Sequence, residues 1–219
     1  MTSASGLALE FSDGRPSATS LDAVNAGLAP FGARVWPLDL TRLPQDVCRL
    51  LAQPNLTENE AEQIRAQFLL GRGQLLELIA QAGRAPHVAG GGSMTPFVEN
   101  QGYAYPQLYL VRAGVDYSRF DRFHVNTAEN GAGVDEIGQL LCGGGIRVLQ
   151  RRPGLGVASL HLTCPTPDRG WIVSYDGGSS HIGSLTAASP GTKLLMQVIG
   201  PGRWSLRYDD NGGKQYAGG

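Results

Sequence analysis

Over 219 residues, Lys and Arg number 18 against 19 Asp and Glu, a net charge of -1. That balance excludes the basic footprint of a nucleic-acid binder or of a protein drawn to anionic lipid. A chain of this length buries a sizeable core without disulfide staples, and Cys48, Cys142 and Cys164 are an odd, widely spaced set with no C-x-x-C pair, which points to reduced thiols rather than a disulfide framework or a zinc ribbon.

The opening residues, MTSASGLALEFSDGRP, lack the basic and apolar regions of a secretory signal. No apolar run approaches the roughly 20 residues of a membrane span. The expectation is a soluble, cytoplasmic protein that binds neither nucleic acid nor membrane.

Residues 20 to 82 carry helical signals. Short helices are expected near Leu21 to Ala29 and from Pro44 to Ala52. Thr57 with Glu60 forms a capping box, in which the hydroxyl meets a first-turn N–H and the carboxylate reaches back. Ala61, Ile64, Phe68 and Leu69, then Leu75, Leu76 and Ile79, recur at helical spacing. Gly71 and Gly73 interrupt that stripe at about 1 kcal/mol each, so a break is expected there. The apolar stripe needs cover, from a barrel or from a second subunit.

Between Ala85 and Tyr105 the pattern dissolves. Gly90, Gly91 and Gly92 followed by Ser93 lack the Lys-Ser/Thr ending of a phosphate-binding loop, so the segment reads as linker or pocket rim. His87 reads as a loop residue. From Pro106 onward short apolar runs alternate with turn signals. The runs are Gln107–Arg112, Arg122–Asn126, Val134–Leu141, Ile146–Gln150, Val157–Cys164, Trp171–Tyr175, Ser180–Leu185, Lys193–Ile199 and Trp204–Tyr208. Glycines and prolines between them mark tight antiparallel connections. The expected organisation is a helical segment and linker over 1–105, a mainly β barrel over 106–208 and a fraying tail over 209–219.

Within the β region Gly170 is followed, after five residues, by Asp176-Gly177-Gly178 and, after two more, by His181. Glu136 precedes Gly143 by the six-residue gap of a second pattern, and His124-Val125-Asn126 lies upstream. These motifs resemble those of the cupin superfamily, over roughly half the chain. Asp176 replaces the family's proline, Leu185 stands where its asparagine falls, and Asn126 replaces the second histidine of H-x-H. Glu136 comes ten residues after Asn126, later than the family spacing. The resemblance implies an antiparallel jelly-roll barrel and one divalent transition metal on His124, Glu136 and His181. It also implies a small-molecule substrate and a homodimer.

Alternation along a strand puts His124 and Asn126 on one face, and closing the sheet brings distant strands to one inner wall. Two imidazoles and a carboxylate with open positions suit Fe(II) and accept Mn, Ni or Zn. Asn126 adds a weak amide ligand or orients a bound water, and the loop Thr127–Gly133 folds over the mouth. Glu129 is an alternative carboxylate at a loop tip. His161 shares a strand face with Ser159 and Thr163, and either looks at solvent or lines the pocket. Trp171, Trp204 and Tyr175 read as core or pocket wall.

Three functions stay open: a mononuclear non-heme dioxygenase, a non-catalytic sensor of a small metabolite, and a metal-free isomerase or epimerase with His124 or His181 as base. No G-x-S-x-G elbow is present.

Overall fold

The computed structural model describes residues 5–94, 107–110, 122–184 and 190–209. Among the described residues eleven strands form two antiparallel sheets. In chain order they are β1 (Leu7–Phe11), β2 (Arg34–Asp39), β3 (Gln107–Leu110), β4 (His124–Thr127), β5 (Asp135–Cys142), β6 (Gly144–Arg152), β7 (Gly156–Thr163), β8 (Arg169–Asp176), β9 (His181–Ser184), β10 (Lys193–Ile199) and β11 (Ser205–Tyr208). One sheet runs β1-β7-β6-β9-β4-β11 and the facing sheet runs β2-β8-β5-β10-β3. The mainly β, cupin-like barrel expected from the sequence is the observed fold.

One correction concerns the N-terminal segment, which is not only helical. β1 pairs with β7, Leu9 opposite Leu160, and β2 pairs with β8, Val35 opposite Val173, so the sheets draw on chain before residue 106. Both are edge strands. An edge tolerates Pro37, whose ring nitrogen has no hydrogen to donate to a ladder, and that proline had masked the strand pattern of β2. Between them α1 (Leu21–Leu28), capped by Ser20, buries Val24 and Leu28 against Leu7 and Leu9.

α2 (Gln45–Ala52) and α3 (Glu58–Phe68) cover the outer face of the β2-containing sheet. Val47, Leu50, Ile64 and Phe68 pack with Leu141 and Leu195. The capping box at Thr57 forms, with Glu60 bonded to the Thr57 N–H at 2.7 Å. After the expected break, α4 (Arg72–Gln81) buries Leu75 and Ile79 against Ile137 and Ile199. The backbone at the break would be stranded without partners. Gln197 serves both polar groups of Leu70, and Gln139 donates to Phe68 O at 2.8 Å. Lys193, wholly buried, donates to Leu51 O and Gln53 O at 2.7 Å and to Gly191 O at 3.0 Å. It thereby pins the C-terminus of α2 to the sheet. Among the described residues no helix is long and apolar enough to cross a membrane.

Between the sheets the inner wall is graded. Successive inward positions run Leu140, Gly138, Glu136 on β5 and Trp171, Val173, Tyr175 on β8, which pair in antiparallel register. On β6 they run Ile146, Val148, Gln150. One end of the barrel is therefore aliphatic and aromatic core. The other end is polar.

Candidate functional site

The polar end gathers the sequence-predicted residues. His124 on β4 stands opposite His181 on β9, with ring centroids 4.3 Å apart. Glu136 reaches in from the facing sheet, its Oε1 3.3 Å from His181 Nε2. Asn126 Nδ2 donates to the same Oε1 at 2.6 Å, and the Tyr175 hydroxyl donates to Oε2 at 2.7 Å. All five residues are buried, none more than 7% exposed. Gly177 makes this possible by close approach: a Cβ there would lie 2.5 Å from Glu136 Oε1. Its carbonyl also accepts from the Asn126 N–H at 2.8 Å.

Each imidazole is aimed by the backbone. Nδ1 of His124 lies 2.8 Å from Arg122 O, and Nδ1 of His181 lies 2.8 Å from Ser179 O. Carbonyls only accept, so Nδ1 carries the hydrogen in both rings and Nε2 is left for the site. Between His181 Nε2 and Glu136 Oε1 two lone pairs would then face each other, unless a proton or a cation lies between them.

The electrostatics of the bare protein favour a proton there. Burial works against a charged His181, but the Glu136 charge and hydrogen bond raise it above the ordinary imidazole value. Burial works against Glu136 too, and His181, Tyr175 and His124 overcome it, bringing the carboxyl down to about 2. Burial and the neighbouring His181 push His124 down to about 4, so it is neutral at physiological pH.

Among the described residues two buried acceptors have no hydrogen-bond partner, Asn126 Oδ1 and Gln150 Oε1. Gln150 sits beside His181 in the β6–β9 register. Two imidazole nitrogens, a carboxylate and the Asn126 amide oxygen are an acceptor-rich set of the kind that suits a divalent transition metal. The donors fit in kind. They are not set as a finished shell: among the described residues no three His, Cys, Asp or Glu side chains are disposed to hold a metal ion. Glu136 has both oxygens turned to Asn126, Tyr175 and His181.

Two other sequence candidates fall outside the cluster. Glu129 is exposed at the tip of the β4–β5 connection. That connection is a tight turn, with Thr127 bridged to Gly133 and Ala128 N donating to Ala132 O, so the loop Thr127–Gly133 closes on itself. His161 turns outward from β7, its side chain 41% exposed, 3.1 Å from Ser159 Oγ and 3.5 Å from Glu10. Leu160 and Leu162 take the inward positions. Leu185 lies outside the described residues.

The sequence missed the roles of Tyr175, Gln150 and His87. His87 is no free loop residue. Its Nε2 lies 2.6 Å from Asp176 Oδ1 and its backbone N–H donates to Asp135 Oδ2 at 3.1 Å. Its ring fills the space over Gly133 and Gly178, where a Cβ would come within 2.7 and 2.9 Å of it. Asp176 also takes the Gly178 N–H at 2.9 Å and the Ser179 hydroxyl, capping the β8–β9 turn where the resemblance expects proline. Its carboxyl is held well below the usual range because, against burial, His87 and Ser179 bond its charged form. The Asp176 hydrogen bond in turn raises His87, outweighing burial. On the same outward face Asp135 is paired with Arg84 at 2.8 Å, and Arg84 also donates to Ser174 Oγ and Tyr175 O at 3.1 Å.

Two antiparallel sheets enclosing a buried polar cluster, with a helical cover on one outer face, define the class: a cupin-like β-barrel. Within that class the chain is similar to the solved structure of an acireductone dioxygenase from Bacillus anthracis with a cadmium ion in its active center. The superposition has a TM-score of 0.57 at 13% identity and covers 90% of this chain and 94% of that one. At that identity the likeness speaks for the fold alone. No protein-family model matches the chain, and no curated protein matches its sequence.

Proposed function

We propose that the chain is a metal-dependent cupin enzyme acting on a small organic molecule, a mononuclear non-heme dioxygenase. In this reading His124, Glu136 and His181 hold one divalent transition metal, Fe(II) in the first place, with Mn, Ni or Zn as alternatives. The observation that carries the reading is the 3.3 Å approach of His181 Nε2 to Glu136 Oε1 inside the barrel. Both imidazoles there are anchored through Nδ1 with Nε2 left to the pocket, the orientation that metal-binding histidines adopt. The fold likeness to a protein described as a dioxygenase with a metal ion in its active center adds support.

Held by His124, Glu136 and His181, such a metal would supply the binding of substrate and O₂. The chain's own groups do the rest. Arg122 O and Ser179 O hold the two rings in one tautomer. Tyr175 orients the carboxylate, and Asn126 Oδ1 is available to a bound water or to the metal. The surrounding sheets exclude bulk solvent.

Protein purified without chelator, then stripped and titrated with Fe(II), Mn(II) and Zn(II) in a calorimeter, tests the reading. One equivalent taken up by the wild type and lost in His181→Ala is expected, and oxygen consumption on a metabolite panel then identifies the dioxygenase. Protein that neither carries nor takes up a transition metal ends the proposal.

A second reading draws on the same pair. His181 and Glu136 satisfy each other as an ion pair with no metal, and neutral His124 keeps an Nε2 lone pair free. Those are the parts of a metal-free isomerase or epimerase. Exchange of a substrate proton with solvent deuterium by metal-stripped protein separates it from the first reading.

A further inference from the structure

Gln150 occupies an odd place. The inward positions of β6 before it are Ile146 and Val148, both in the apolar core. Gln150 follows them at only 2% exposure, where burying an amide is costly unless its groups are bonded. Its Nε2 reaches across the barrel toward Asp176 O at 3.5 Å. A carbonyl only accepts, so the NH₂ must face it and Oε1 points away. That Oε1 has no partner among the described residues. Its strand neighbour in register is His181, which in turn stands opposite His124.

The rest of the cluster holds further acceptors. Asn126 Oδ1 is a second unpartnered acceptor, and the Glu136 carboxylate is a third oxygen-bearing group. Among the described residues no Lys or Arg side chain bonds to any of them; Arg84 and Arg152 point instead at Asp135, Asp176 and backbone carbonyls. His181, the imidazole beside them, is already engaged by Glu136, so a carboxylate or phosphate would find no unpaired counter-charge on these side chains. A hydroxyl would find acceptors waiting.

We propose that Gln150 is a substrate-binding residue whose Oε1 accepts a hydrogen bond from a hydroxyl of the small molecule held beside His124, Glu136 and His181, so that the substrate is a hydroxyl-bearing compound and not a simple anion. This rests on the reading of the pocket as a small-molecule site and deepens it. Gln150 acts on the ligand and not on the metal.

The test uses Gln150→Met, which keeps the length and apolar stem and deletes the amide. Catechol serves as the hydroxyl probe, oxalate as the anion without donors, and Co(II), followed by its visible absorption, as the metal. Loss of one hydrogen bond weakens binding by about fivefold. The expected result is that Gln150→Met binds Co(II) and oxalate as the wild type does, binds catechol about fivefold more weakly, and melts no lower than wild type in the ligand-free state. A drop of several degrees in the ligand-free melting temperature assigns Gln150 to the fold and overturns the proposal. So does unchanged catechol affinity, or a loss of Co(II) binding in the variant.

Should the wild type take up no Co(II), the metal reading fails by itself, and the catechol-induced thermal shift of metal-free protein decides the role of Gln150. A shift reduced in Gln150→Met upholds it. A shift unchanged, or absent from the wild type, ends it.

Discussion

Replacing Tyr175 by Phe removes one oxygen from the polar end of the barrel and leaves the ring where it is. The hydroxyl is a buried, charge-assisted donor to Glu136 Oε2 at 2.7 Å, and the ring keeps its tilted contact with His181 at 5.4 Å. A hydrogen bond to a charged group contributes about 1.5–3 kcal/mol. The space vacated by one hydroxyl is too small to admit a water that would replace it. Tyr175→Phe is therefore expected to lower stability by about 2 kcal/mol, roughly 30-fold in the folding equilibrium. For a chain of this size that is a fall in melting temperature of about 4–8 °C.

Denaturant unfolding of chelator-treated protein at pH 7, with circular dichroism confirming the native fold, measures it. In the metal-dependent reading Tyr175 is a positioning residue for Glu136, so Zn(II) affinity falls by about 10- to 100-fold with His124 and His181 intact. A variant within 0.5 kcal/mol of wild type would show that the carboxylate does not depend on this donor. The electrostatic account of the site would then be wrong.

Further outcomes follow from the groups around the site. His87→Gln probes the pair with Asp176: a raised histidine stabilises fully below about pH 6.5 and loses that contribution as pH rises through its folded value. Asp176, depressed, contributes above about pH 4 and loses its part as pH falls. The gap in melting temperature between wild type and His87→Gln should thus be widest between roughly pH 4 and 6.5 and narrow above; a gap flat from pH 4 to 9 contradicts the pairing. Gly133→Ala drives a Cβ to within 2.8 Å of Gly178 Cα as well as onto the His87 ring, and should cost about 1–3 kcal/mol, less than additively when combined with His87→Gln. Lys193→Met strands the carbonyls of Leu51, Gln53 and Gly191 and should cost about 3 kcal/mol in urea unfolding; a loss below 1 kcal/mol would mean that α2 does not need its clamp.

What the sequence disclosed depended on whether a signal was local. The helices at Leu21–Leu28, Gln45–Ala52 and Glu58–Phe68, and the break before Arg72, follow from caps, spacing and glycine, all readable within a few residues. β1 and β2 were missed because each is a short edge strand, one carrying Pro37, and each is held by a partner more than a hundred residues away. His124, Glu136 and His181 could be singled out because their residue types are rare in a core and because the Glu136–Gly143 and Gly170–His181 spacings match a motif, although the step from His124 to Glu136 does not. Gln150 and Tyr175 were not, since nothing in β6 or β8 alone says which inner row meets them. Asp176 offered a hint: an acid opening a Gly-Gly-Ser-Ser turn bonds the backbone two residues on, as it does to Gly178. Its second partner, His87, comes from chain 89 residues earlier.

The adjacent acids Asp135 and Glu136 explain why the site faces inward at all. Both are buried, at 1% and 7% exposure, and a one-residue slip of β5 would exchange their faces. Composition alone does not choose between them. The choice is made outside the pocket, where Arg84 meets Asp135 at 2.8 Å and bonds Ser174 and Tyr175 O of the neighbouring strand, while His87 adds its N–H to the same carboxylate. Turning Asp135 inward would strand a buried arginine, at a cost of about 3–5 kcal/mol for the broken pair, and would turn Glu136 away from His181. The register that points Glu136 at the imidazoles is thus held by an ion pair on the opposite face of the same sheet.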